Sequence, residues 1–419
     1  MSSDLSSDPM HACKPTHTWE PEYDDLWPNP EREWLLRAAF SEGEQSGIAL
    51  NRWRELAGYV QYDQIDYLSC RILPLVYKRL QESNLDDPWM PKLRALHRYH
   101  WAKVKTKQQC LVKVIDCFDS AGIPTLVLKG HALLASGYYA DAGERPLNDL
   151  DVMIRPQDVA AASDLLSDLK WTQVGTGPHA EFHAYEWQDE NGIKLDLHRK
   201  LLPPPYHAID LDHLLSTSQS IPFFGRSIRI PDPTHLLMHC LVHGRMHWGE
   251  IPKPFLWVAD TLQILAKSGD EIDWARLVAD AKRFAIVFDI RESLGYIKSH
   301  FGAVVPDTCL DELNAISLTR SDLVPFFRWT TNHEKHSILE LKDLLRADFH
   351  CHQQLNDKPA NLRSYLPYLA RRTQRLITTE AGGRRWYFLK QKAKNEGIAA
   401  TVFRPDYAHV TKRSRREFT

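Results

Sequence analysis

Three carboxylates and a lysine are spaced along this chain as phosphate chemistry requires. Lys129-Gly130 follows the apolar run 125–128, Asp149 and Asp151 flank Leu150, and Asp196 sits inside a second apolar run, 193–197. In a strand, residues i and i+2 share a face. Asp149 and Asp151 therefore point one way while Leu150, Val152 and Ile154 point the other. Likewise Lys194, Asp196 and His198 share a face opposite Ile193, Leu195 and Leu197. Carboxylates gathered on one side of a small sheet repel each other strongly unless divalent cations lie between them. The pattern reads as a magnesium site facing a phosphate-binding turn. Lys129 can neutralise phosphate charge, and the amides of Gly130 and His131 open a helix, a natural anion site. Gly130 also permits close backbone approach. Arg145 can grip a phosphate bidentately or simply orient the carboxylate that follows it. An isolated Asp-x-Asp is usually surface decoration; the ordered conjunction carries the reading.

A second constellation is His235, His239, His243 and His247, each four residues apart. On a helix each such step advances about 40°, so the four fan across about 120° and only neighbours can converge on one ligand. Three roles fit that spacing: lining the active cleft, hydrogen-bonded structural histidines, or a separate metal site.

The elements that must position these residues follow from hydrophobic period. Residues 29–120 read as a helical region, with one long helix over 99–118 stopped by Gly122-Ile123-Pro124. Residues 121–231 alternate: strand 125–128, helix 130–139, strand 149–154, helix 156–169, and strands 171–174, 182–187 and 193–197. Asn191-Gly192 is a hairpin turn signal, and a short strand pair is expected near Ile221 and Ile228. Residues 232–370 return to a helical pattern. Residues 1–28 have little apolar periodicity and read as a flexible leader. The expected fold is α/β (α+β): a mixed-sheet core flanked by N- and C-terminal helical regions.

Composition sets outer bounds. The 419 residues, 43% apolar and 25% charged with net charge -2, suit a soluble globular protein with no global pull toward nucleic acid or membrane. No apolar run is long enough to span a bilayer and the start carries no signal-peptide pattern, so the expected setting is the cytoplasm. Seven scattered cysteines without a Cys-x-x-Cys pair read as reduced thiols. Residues 371–419 form a basic segment with 13 Lys or Arg against 4 Asp or Glu. Trp386, Tyr387 and Phe388 lie among those charges, which suits either a solvated tail or a phosphate-rich partner such as RNA.

The motifs Lys129-Gly130, Arg145 before Asp149-Leu150-Asp151, and Asp196-Leu197-His198 resemble those of the bacterial uncharacterised nucleotidyltransferases, within the superfamily that includes DNA polymerase beta. The motifs cover about residues 120–200, with a weaker likeness through the His-rich helix and Leu256-Trp257-Val258-Ala259-Asp260. The resemblance implies a polymerase-beta-like core and transfer of a nucleoside monophosphate from an NTP such as ATP, with Mg2+ (or Mn2+), to an acceptor. It implies Asp149, Asp151 and Asp196 as catalytic metal ligands and Lys129, Gly130, His131 and Arg145 as nucleotide-binding residues. It places His198, His239, His243 and Asp260 in the cleft. The acceptor is left open among a small molecule, a peptide or protein, and an RNA end; no membrane partner is implied. Two other classes compete: a non-catalytic nucleotide- or RNA-binding module that keeps the fold, and a metal-dependent nuclease. Three clustered acids argue against the first, and the Lys129-Gly130 turn against the second.

Overall fold

A computed structural model gives the structure of residues 27–59, 61–174, 183–203, 206–246 and 255–318, together with 322, 323, 325 and 326. Residues 1–26 of the expected leader, His247 and the basic segment 371–419 lie outside these described residues, as does most of the expected helical stretch after residue 318; at the leader's end, Trp27 instead stacks on Tyr296 at 4.5 Å.

The chain begins with helices α1 (Pro30–Phe40), α2 (Glu44–Ala57), α3 (Tyr67–Cys70), α4 (Leu73–Glu82) and α5 (Met90–Ser120). Local chemistry starts several of them. Asn29 caps α1 by accepting from the Arg32 amide at 3.0 Å, and Asp66 caps α3 through the amides of Leu68 and Ser69. The helix expected over 99–118 begins nine residues earlier, at Met90, because Pro91 in its first turn needs no amide partner. Gly122, with φ of 69°, then reverses the chain toward the sheet.

The core sheet contains β1 (Leu126–Val127), β2 (Asp149–Met153), β3 (Thr172–Gln173), β4 (Ala184–Gln188) and β5 (Lys194–His198), in the order β1-β2-β5-β4-β3. β2 and β5 run parallel at its centre, while the flanking pairs are antiparallel. The crossover from β2 passes through α7 (Val159–Asp168). Between β4 and β5, Gly192 at φ 78° closes the hairpin while the Asp189 carboxylate accepts the amides of Asn191 and Ile193. The mixed-sheet α/β core flanked by helices is the fold class the sequence implies.

Two expected elements are shorter. β1 keeps only Leu126–Val127, since the left-handed Lys129 at φ 51° turns the chain straight into the next helix, although the Leu128 N–H still reaches Asp151 O at 3.0 Å. The helix expected over 130–139 is α6 (Lys129–Ala135), because Gly137 at φ 76° breaks its last turn. After α8 (Leu211–Leu215), β6 (Gln219–Phe223) and β7 (Arg226–Ile230) form the expected pair, with Ile221 directly opposite Ile228. The helices α9 (Pro233–His243), α10 (Leu256–Ser268), α11 (Trp274–Arg283), α12 (Val287–Phe301) and α13 (Asp307–Asn314) complete the described fold.

Leu150, Val152, Ile154, Leu195 and Leu197 are fully buried, so the apolar halves of β2 and β5 face the interior. One continuous apolar cluster joins Leu35 and Trp53 of the first helices, these strands, and Leu237, Val258 and Ile290 of the last ones. Burial of this kind stabilises at about 25 cal/mol per Å² of apolar area. The sheet that carries the acids is therefore held on both sides by one core. Among the described residues, no helix is long and apolar enough to cross a membrane.

Candidate active site

The parallel register of β2 and β5 sets Asp151 directly opposite Asp196, with Asp149 two residues earlier on the same strand. Asp151 is buried at 3% exposure. Its Oδ1 receives Lys129 Nζ at 2.5 Å and lies 3.0 Å from His198 Nε2. Lys129 reaches it from the turn between β1 and α6, where its own backbone adopts φ of 51°. A left-handed lysine costs roughly 1–2 kcal/mol, and such strain is characteristic of functional turns. The neighbouring glycine serves contact rather than φ: a Cβ on Gly130 would clash with Leu147 Cδ2. Removing that side chain lets the turn press against the segment leading into β2.

Charge in this cluster is unbalanced. Burial, with repulsion from Asp151 and Asp149, pushes the Asp196 carboxyl up to about 7 despite the attraction of Lys129. Burial and the Asp151 charge raise Asp149 as well. Burial would lower the Lys129 ammonium, yet attraction to Asp151, Asp149 and Asp196 outweighs it and holds the group charged. Asp151, Asp196 and His198 place ligand atoms within 4.8 Å of one another. Two carboxylates with an excess of negative charge fit Mg2+ or Mn2+, and the adjacent imidazole suits Mn2+.

Imidazoles extend from the acids toward α9. The His198 ring lies 5.3 Å from His183, His183 lies 6.4 Å from His243, and His243 lies 5.1 Å from His239. Burial first, with the positive Lys129 adding to it and, for His183, His239 and His243, the neighbouring rings too, holds all four well below the usual histidine range and hence neutral. His239 is 4% exposed and its Nε2 has no hydrogen-bond partner among the described residues. His131, whose amide the sequence offers to an anion, has a buried ring pushed down to about 4 by that burial.

Arg145 and Asp260 meet each other. Arg145 donates from Nε and NH2 to the two Asp260 oxygens, each at 2.7 Å, and from NH1 to Pro146 O at 2.7 Å. The Tyr139 hydroxyl donates to Asp260 Oδ1 at 2.5 Å. The fork that sequence offered to a phosphate is thus occupied, and the pair ties the segment before β2 to α10.

Sequence reasoning passed over four residues of this neighbourhood. Glu186 faces Asp196 across β4–β5 and is bridged by Lys194 at 2.6 Å. Counting outward from the Asn191-Gly192 turn would have found it, and would have set His183 beside Arg199. Arg71 feels the Asp149 charge and donates to Pro146 O at 3.2 Å, while Lys107, near the same acid, donates to Leu147 O at 2.7 Å. Neither basic residue carried a local signal.

A mixed sheet with opposed acids on adjacent parallel strands, next to a basic strand-to-helix turn, defines a nucleotidyltransferase core. A family model described as uncharacterised nucleotidyltransferase matches residues 69–302, more than half of the chain, and the chain belongs to that family. No curated protein matches it. Among solved structures it is similar to the antibiotic-resistance factor ANT(2'')-Ia in solution, at 12% identity over 44% of this chain and 96% of that one, TM-score 0.34. It is also similar to the lincosamide antibiotic adenylyltransferase LnuA bound to lincomycin, at 14% identity over 37% and 93%, TM-score 0.27. A third likeness is to an antigenic nucleotidyltransferase-like protein from Paracoccidioides brasiliensis, at 12% identity over 49% and 97%, TM-score 0.30.

Proposed function

We propose that this protein transfers a nucleoside monophosphate from an NTP to an acceptor and releases pyrophosphate, with Mg2+ or Mn2+ bound by Asp149, Asp151 and Asp196. The observation that carries the reading is the opposition of Asp151 and Asp196 across β2 and β5, with Lys129 bonded to the same carboxylate. Clustered acids of this kind lower the stability of a buried site, which a divalent cation offsets. When bound, the cation neutralises triphosphate charge and helps set the phosphate in line with its acceptor.

The chain's own residues do the rest. Lys129 exchanges part of its bond with Asp151 for a phosphate oxygen, holding the triphosphate at the turn. The acceptor oxygen attacks the α-phosphorus, the bond to the bridging oxygen of the β-phosphate breaks, and pyrophosphate leaves with that electron pair. Asp196, on the acceptor side of the cation, helps take the acceptor's proton. His198 orients Asp151 through its 3.0 Å contact, and His239 and His243 border the cleft from α9. Arg145 acts on this site as a positioning residue, through Asp260. The acceptor is a small molecule, a peptide or protein, or an RNA end, and the natural setting is the NTP- and Mg2+-rich cytoplasm.

Pyrophosphate release from each of the four NTPs with Mg2+ or Mn2+, including a check for self-modification, tests the reading. The expected result is release that requires the cation and disappears in Asp151→Asn. NTP binding without release, under either cation and with a range of acceptors, would favour the non-catalytic module instead.

A further inference from the structure

The first turn of α9 holds a second cluster that nucleotidyl transfer does not use. His235 of α9, His213 of α8 and Asp280 of α11 bring two ring nitrogens and a carboxylate oxygen within 4.8 Å of one another. His213 Nε2 lies 3.3 Å from Asp280 Oδ1, and His235 Nε2 lies 3.1 Å from Asp280 Oδ2. The His235 and Asp280 side chains are buried at 1% and 7% exposure, whereas His213 at 19% leaves an entry path.

Polar groups also hold the far side of His235. Its Nδ1 lies 3.1 Å from Thr217 Oγ1 and 3.3 Å from Asp232 Oδ2, and Arg276 holds the other Asp232 oxygen at 3.0 Å. When Nδ1–H is donated on that side, the lone pair of Nε2 turns outward, the arrangement that supports metal-bound imidazoles. Here Nε2 faces an Asp280 carboxylate oxygen at 3.1 Å, a contact that either a proton or a metal ion bridges. A proton would join His235 to Asp280 and leave His213 unserved: its Nε2 is buried and has no hydrogen bond despite the 3.3 Å approach. A tetrahedral ion with bonds of about 2.0–2.1 Å spaces its ligand atoms about 3.3 Å apart and serves all three groups at once.

We propose that His213, His235 and Asp280 form a site for Zn2+, or a similar borderline divalent cation, which clamps α8, α9 and α11 together. Two nitrogens and one oxygen select such an ion over Mg2+, which prefers an all-oxygen shell. The site fixes the start of the helix whose later turns carry His239 and His243. It stands independently of the transferase reading.

Full-length protein stripped with EDTA and titrated with Co2+ tests the site. One equivalent should give visible absorption of tetrahedral strength, and Zn2+ should displace it. His213→Ala, whose partial exposure spares the core, should abolish the band while circular dichroism shows the fold intact. Asp232→Asn should weaken Co2+ binding by about 10- to 100-fold, as loss of a supporting carboxylate does. Asp151→Asn and Asp196→Asn should leave the band unchanged. Absence of a stoichiometric band in the wild-type protein would overturn the site, leaving a hydrogen-bonded His–Asp network. So would a band that persists in folded His213→Ala protein, or one that disappears with the acids of the sheet.

Discussion

One helix borders both clusters, and they differ in kind. Near its C-terminal end lie Asp149, Asp151 and Asp196 with Lys129, an oxygen-rich and over-negative site whose histidines stay neutral. At its start, burial would lower His235 too, but hydrogen bonds to Asp232 and Asp280 outweigh it and raise the ring above its ordinary value. His235 and His239 are one turn apart and chemically identical. Their surroundings separate them: two carboxylates beside the first, the Lys129 charge and other imidazoles around the second. Spacing along a helix sets which residues can meet, and the charges across the contact decide what they do.

The largest expected effect tests the acid side. Asp151→Asn and Asp149→Asn should each lower nucleotidyl transfer by about a thousandfold or more, since a lost metal ligand removes several kcal/mol of transition-state stabilisation. Melting temperature should hold or rise in Asp149→Asn, where like charges are relieved, and fall in Asp151→Asn, which leaves Lys129 without its buried ion pair. Full turnover in either variant would remove these acids from the mechanism.

Breaking the Arg145–Asp260 pair between the segment before β2 and α10 should affect stability instead. Arg145→Ala leaves Asp260 buried without its partner, costing about 3–5 kcal/mol by urea unfolding. The double variant with Asp260→Ala should recover part of that loss. If transfer per folded molecule collapses while unfolding is unchanged, Arg145 binds the nucleotide after all.

A smaller effect is expected at the ring chain. His239→Ala or His243→Ala should reduce transfer about ten- to a hundredfold through misplacement at the cleft, with a lesser loss of melting temperature. The reverse pattern would make both rings core histidines.

The mildest signature is a pH slope. Folded Asp196 titrates near 7 against an ordinary unfolded value of about 3.9. The folded state thus binds the extra proton between those values. Its contribution is fully present below about pH 4 and is lost as pH rises toward and through 7. Metal-free protein should melt at falling temperature from pH 5 to 8, Asp196→Asn should flatten that slope, and Mg2+ should restore stability at the alkaline end. An identical slope in Asp196→Asn would assign it to other groups.

Local chemistry alone determined a good deal. The alternation around Asp149–Ile154 and 193–197, the Asn191-Gly192 turn and the Ile221/Ile228 pair are period-2 signals, and the strands stand where those signals lie. Lys129, the acids and the family likeness were legible because each sits in a short motif. Tertiary structure decided what depends on partners distant in the chain. It set the parallel register that opposes Asp151 to Asp196, the left-handed turn that aims Lys129, and the capture of Arg145 by a carboxylate 115 residues away. It also parted His235 from His239 and brought His213 and Asp280 to the former. Sequence encodes which face a side chain takes from its immediate neighbours; which charge it meets there is fixed only when remote segments share one core.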